Sequence, residues 1–105
     1  MTPPYVQDEL GHWYEAVRSN EAALERRPHF APSKYNAAVS HAKLGQYQRA
    51  YASLRSIEPG DQFARKVLES AEADTELWDA LKDAHWKRRI LYAVRSARNR
   101  LPEGG

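Results

Sequence analysis

Leu10-Gly11-His12-Trp13-Tyr14-Glu15-Ala16 returns 34 residues further on as Leu44-Gly45-Gln46-Tyr47-Gln48-Arg49-Ala50, so a Leu-Gly-x-aromatic-x-x-Ala string is written twice. A chain that repeats at this period builds one helix-turn-helix unit over again. A single helix pair cannot bury its own apolar face, whereas a neighbouring copy can cover it. The spacing predicts an all-α stack of antiparallel helix pairs, an architecture suited to binding rather than to chemistry.

The residues flanking the two strings keep helical spacing. Pro3-Pro4 opens the first helix, because the fixed φ of proline suits a first turn. Val6, Leu10, Trp13, Val17 and Leu24 then form one stripe that ends before Pro28. Gly11 lies inside the stripe: either a short stub turns there into a second helix or, the favoured reading, a largely continuous helix over about 4–27 tolerates it at about 1 kcal/mol. His29-Phe30-Ala31 connects to a second helix, started by Pro32 and Ser33, with Tyr35, Ala38, Val39, Ala42 and Leu44 leading to Gly45. Gly45 is free to take the positive φ that ends a helix. A third helix over 46–57 places Tyr47, Ala50, Leu54 and Ile57 on one face.

Glu58-Pro59-Gly60-Asp61 breaks the chain, with Asp61 placed to cap a fourth helix over 62–73 that shows Phe63, Val67, Leu68 and Ala71. Asp74 or Thr75 caps a short fifth helix holding Leu77, Trp78 and Leu81. Asp83 caps the last, whose stripe is Trp86, Ile90, Ala93, Val94, Ala97 and Leu101. Residues 102–105 read as a frayed tail. Five or six helices in a single domain over 1–105 account for the chain, with no period-two run long enough for a strand.

Composition narrows the function classes. The chain has 105 residues, 42% apolar and 29% charged, enough for one small core with much of every helix facing water. With no cysteine there is neither a disulfide nor a thiolate metal site. The N-terminus has no basic start followed by an apolar run, and no apolar stretch approaches a membrane span, so the expectation is a soluble cytoplasmic protein. Net charge is only +2 but unevenly spread. Glu69, Glu72, Asp74, Glu76, Asp79 and Asp83 are opposed by Lys82 alone, whereas Lys87, Arg88, Arg89, Arg95, Arg98 and Arg100 follow with no acid among them.

The two strings resemble the tetratricopeptide repeat, a family of stacked antiparallel helix pairs with small residues at close helix approaches. Gly11, Trp13, Ala16 and Pro28 match its turn, aromatic, close-packing alanine and terminal proline. Ala38, Leu44, Gly45, Tyr47, Ala50 and Leu54 match in the second copy. Lys34 and His41 stand where the family places large apolar residues, and Asn20 replaces a bulky one. Pro59 arrives three residues early, and continuing the count puts Asp79 where a glycine belongs and Ala84 in register. The resemblance covers residues 10–60 as one complete repeat and a preceding half-repeat; 61–101 is similar to a degenerate closing segment.

The resemblance implies a peptide- or helix-binding groove lined by the leading helix of the complete repeat, at Tyr35, Asn36, Val39, Ala42 and Lys43. Asn36 would hold a peptide backbone with its paired donor and acceptor, and Lys43 would meet a carboxylate. The plainer expectation is that Tyr35 and Val39 pack on the first helix and leave Asn36 and Lys43 solvated.

The basic surface of Lys87, Arg88, Arg89, Arg95 and Arg98 suggests nucleic acid, with Tyr92 able to stack. Stepping about 100° per residue from Trp86, the basic residues spread over an arc of about 100° to 320°, the whole solvent side. That is the pattern of a solvated face, partnered by the acids at 69–83, and it also suits an acidic protein or an anionic membrane surface.

His12, His29, His41 and His85 show no i, i+4 pair and read as surface or boundary residues, with His12 and His85 near helix ends. No glycine-rich phosphate loop and no Gly-x-Ser-x-Gly elbow occur, and nothing in the pattern asks for a cofactor. Glu72 and Glu76 read as solvent-facing. Trp13, Trp78 and Trp86 sit on apolar stripes and read as core, and a partly exposed one would anchor an interface. The sequence points to a small non-enzymatic interaction module (adaptor, scaffold or chaperone-like) that binds a partner peptide or helix, or another copy of itself. The alternatives are a nucleic-acid-binding accessory factor that uses the basic last helix, or a self-assembling subunit of a larger complex.

Overall fold

A computed structural model describes residues 4–101, the first five of them by backbone alone. Six helices follow one another: α1 Pro4–Arg26, α2 Ala31–Lys43, α3 Tyr47–Arg55, α4 Ala64–Ala71, α5 Thr75–Ala80 and α6 Ala84–Asn99. No strand occurs among the described residues. The tail at 102–105 and the side chain of Val6 lie outside the described set.

Local chemistry explains most of the boundaries. At the end of α2, Gly45 takes φ +74°. Its amide bonds Ala42 O at 3.0 Å while the Gln46 amide reaches His41 O at 2.8 Å, the paired closure of a Schellman turn. Asp74 Oδ1 accepts the Glu76 amide at 3.0 Å and starts α5, and Asp83 Oδ1 accepts the Trp86 amide at 3.0 Å and starts α6. Asp61 acts earlier than expected. Its carboxylate accepts the Phe63 amide at 2.7 Å, so it holds the turn, and α4 begins only at Ala64. Trp78 closes α4 from a distance, its Nε1 donating to Glu72 O at 3.1 Å and to Ala71 O at 2.9 Å, the latter also accepting the Asp74 amide at 3.2 Å, so the last carbonyls of the helix are satisfied.

The molecule measures 54 × 33 × 19 Å, a thickness of about two helix layers. Central α2 packs against α1, α3, α4 and α5, and α6 lies across α3 and α4. The core follows from this. Ala38 and Ala42 of α2, Ala50 and Leu54 of α3, Leu68 and Ala71 of α4, Leu77 of α5, and Ile90, Val94 and Ala97 of α6 are all buried, together with Ile57 and Leu81. Alanines at the crossings let the backbones approach closely, and the leucines and isoleucines fill the space between.

Packing overrides the sequence pattern at several positions. Gly11 is helical, in line with a continuous first helix and unlike the turn that the repeat resemblance puts there, and among the described residues nothing outside its own helix backbone lies within 4 Å of where a Cβ would stand. Leu10 is 43% exposed although it lies on the apolar stripe of α1. The cause is length: α2 has 13 residues against the 23 of α1, and the longer helix outruns its support. The half-buried face is instead Trp13, Ala16, Val17, Asn20, Ala23 and Leu24. Phe63 is exposed as well, its ring edge-to-face with Phe30 at 5.2 Å.

Lys34 and His41, by contrast, are buried. The Lys34 ammonium donates to Ser56 O, and His41 Nδ1 lies 2.8 Å from Gln46 Oε1. His12 sits in the body of α1 rather than at its end. The three tryptophans and Tyr47 are half-buried rather than core.

Candidate interaction surfaces

Of the residues expected to line a groove, Tyr35, Asn36 and Val39 fall around a cleft of about 290 Å³ between α1, α2 and the start of α5, whereas Ala42 and Lys43 line a neighbouring hollow. Trp13, Ala16 and Asn20 form one wall, Tyr35, Asn36, Val39 and Ser40 the floor, and Asp74 with Glu76 the far edge. Several of these side chains are already engaged inside the protein. Tyr35 donates to Asp74 Oδ2. Its burial, reinforced by that bond and by the charges on Asp74 and Glu76, pushes the phenol well above the usual tyrosine range. Lys43 sits 4.0 Å from Glu76 Oε1 and 5.5 Å from the centre of the Trp13 ring, so it is held rather than free.

Val39 and Ala42 are buried, and Ala42 lines a neighbouring hollow rather than this cleft. Asn36 is exposed. Trp13, which matches the repeat aromatic, has its Nε1 buried in the same region without a hydrogen-bond partner among the described residues.

The second surface joins α3 to α6. Lys87, Arg88, Arg89, Arg95 and Arg98 are all exposed on α6. Arg95 Nε and Arg98 Nη1 each lie 3.5 Å from Glu72 Oε1, so these two are drawn to the α4 side and Glu72 does not simply face solvent. Arg89 turns the other way. Its guanidinium lies 5.1 Å from the Tyr51 ring centre and 5.4 Å from that of Trp86, while the Arg55 guanidinium lies 5.6 Å from the Tyr51 ring centre.

Hydrogen bonding from Arg89, helped by the positive charge of both arginines and opposed by burial, holds the Tyr51 phenol below the ordinary tyrosine value. Beside this cluster opens a cleft of about 400 Å³ lined by Tyr51, Arg55, Tyr92, Ala93, Ser96 and Arg100. Sequence reading found the cations of α6 but not those of α3. Helix periodicity within one segment says nothing about which other helix will lie alongside.

Among the described residues no cluster of three or more His, Asp or Glu side chains is placed to hold a metal, and no helix is long and apolar enough to cross a membrane. Compared with protein-family models, with curated proteins and with solved structures, the chain shows no match.

Proposed function

We propose that this chain is a tetratricopeptide-like, non-enzymatic interaction module that takes an extended segment of a protein partner into the cleft between α1, α2 and α5. The observation that carries the reading is Trp13 Nε1, a buried donor beside that cleft with no acceptor among the described residues. An unsatisfied donor costs about 1–3 kcal/mol, and a backbone carbonyl of an inserted peptide would remove that cost. The exposed Asn36 amide on the same floor offers the matching donor and acceptor for a second peptide unit. α1 leans mainly on α2, so a small displacement of one helix would admit the segment without disturbing the α2–α3–α6 core.

The test is an array of unstructured peptides probed with the folded chain, with affinities then measured in solution. Binding that is insensitive to salt, is lost in Trp13→Phe and Asn36→Ala, and survives neutralisation of Arg88 and Arg89 supports the groove. Peptide binding untouched by both groove substitutions rejects it.

A further inference from the structure

We propose that the face shared by α3 and α6 binds single-stranded nucleic acid, with Tyr92 as a stacking platform for a base and Arg55, Arg89 and Arg100 meeting phosphates. The site is separate from the α1–α2–α5 cleft and does not depend on what that cleft binds.

The tertiary structure brings together two helices that carry no acid: none stands between Gln46 and Ile57, and none between Ala84 and Leu101. Arg49, Arg55, Lys87, Arg88, Arg89 and Arg100 make no ion pair among the described residues, in contrast to Arg95 and Arg98 on Glu72. A surface that keeps this many cations uncompensated is complementary to a polyanion.

Aromatic placement selects the kind of polyanion. Tyr92 is 74% exposed, and among the described residues its ring meets neither another ring nor a cation. It stands on the rim of the 400 Å³ cleft, next to Arg55 and Arg100. Arg100 is anchored there, its Nε donating to Ser96 O at 3.3 Å. Behind it, Tyr51 and Trp86 lie 5.8 Å apart, each with Arg89 near its ring. An open ring flanked by guanidinium groups matches a chain that alternates flat bases with phosphates, since base stacking adds to charge neutralisation. Paired bases present no face to stack on, which disfavours a duplex. An acidic polypeptide would use the arginines and leave Tyr92 idle. An amphipathic helix that seats itself in an anionic bilayer inserts its apolar face, and that of α6, Ile90, Val94 and Ala97, is buried in the core, which leaves a bilayer only the cations.

The experiment is fluorescence anisotropy of end-labelled oligothymidylate and oligouridylate, about 20 nucleotides long, titrated with the full chain at several salt concentrations. Binding should weaken steeply with salt. Tyr92→Ala should weaken it roughly fivefold to a hundredfold at an unchanged salt slope, the range for losing one stacked base, while Tyr92→Phe retains it. Arg55→Gln and Arg100→Gln should each lower the slope by about one. Tyr92 is solvent-exposed, so its replacement leaves the fold intact, which circular dichroism verifies. Trp13→Phe and Asn36→Ala should leave oligonucleotide binding unchanged.

The proposal is overturned by absence of binding at about 50 mM salt. It is equally overturned if Tyr92→Ala has no effect, if oligoglutamate of the same length competes as well as the oligonucleotide, or if anionic vesicles bind while oligonucleotides do not.

Discussion

The Asp74 carboxylate is shared between Tyr35 and the start of α5: Oδ2 accepts the Tyr35 hydroxyl across 39 residues of sequence, and Oδ1 accepts the Glu76 amide at 3.0 Å. One side chain both starts a six-residue helix and fastens it to the central one. A helix that short does not hold its conformation alone, so its register rests on this link and on burial of Leu77 and Ala80.

Asp74→Ala removes the cap and leaves the half-buried Tyr35 hydroxyl unpaired, and is expected to cost about 2 kcal/mol. Tyr35→Phe removes one bond and leaves the cap in place, and should cost about 1 kcal/mol. Urea denaturation of the two variants tests the order. Equal losses would mean that the cap contributes nothing.

Tyr35 also sets an alkaline limit. The folded protein binds its phenolic proton more tightly than the unfolded chain does, because burial and the neighbouring carboxylates disfavour the phenolate. Its contribution to stability is therefore full below about pH 10 and declines as the pH rises above that value. The melting temperature of the wild type should fall more steeply above pH 10 than that of Tyr35→Phe. Parallel curves would show that the phenol titrates freely.

Tyr51 behaves in the opposite sense. Arg89 and Arg55 favour its phenolate, so it should ionise below the usual value of about 10. In an ultraviolet titration at tyrosinate wavelengths, Tyr51→Phe is expected to remove the earliest phase, and Arg89→Gln to move that phase to higher pH. If Arg89→Gln leaves the first phase in place, the guanidinium is not its cause.

Gly11 and Gly45 occupy the same place in the repeated string but should respond to alanine with opposite signs. Gly11 is inside α1 with open space around it, so Gly11→Ala should stabilise by about 0.5–1 kcal/mol. Gly45 also has room, yet its φ of +74° disfavours any side chain, and Gly45→Ala should destabilise by about 1 kcal/mol. Thermal melts of both variants decide the matter. A destabilised Gly11→Ala would mean that α1 bends at that residue.

Lys34 is a buried ammonium with one backbone acceptor, the carbonyl of the exposed residue Ser56. Methionine fills a similar volume without a desolvated charge, and water can satisfy the Ser56 carbonyl. Lys34→Met should leave stability unchanged or raise it by about 1 kcal/mol, whereas Lys34→Ala leaves a cavity and should cost about 2 kcal/mol. A loss of more than about 2 kcal/mol in Lys34→Met would show that the charge itself is required.

The sequence by itself determined where the helices lie and what ends them. Asp74, Asp83, Gly45 and the Pro59-Gly60 break act on amides and carbonyls within a few residues of themselves, so their effect can be read without knowing the fold. It also marked Tyr35, Asn36 and Val39, which the structure does bring to one cleft.

The tertiary structure alone decided which faces are covered. Leu10 is left in solvent because α2 is too short to reach it, while Lys34 and His41 are enclosed because α2 is surrounded on several sides. Glu72 draws Arg95 and Arg98 to one side of α6, and α3 adds Arg55 and Tyr51 on the other. Helical periodicity fixes the angle of a side chain about its own axis. Which neighbour stands at that angle depends on the lengths and crossings of all six helices together, and both candidate surfaces are assembled at that level.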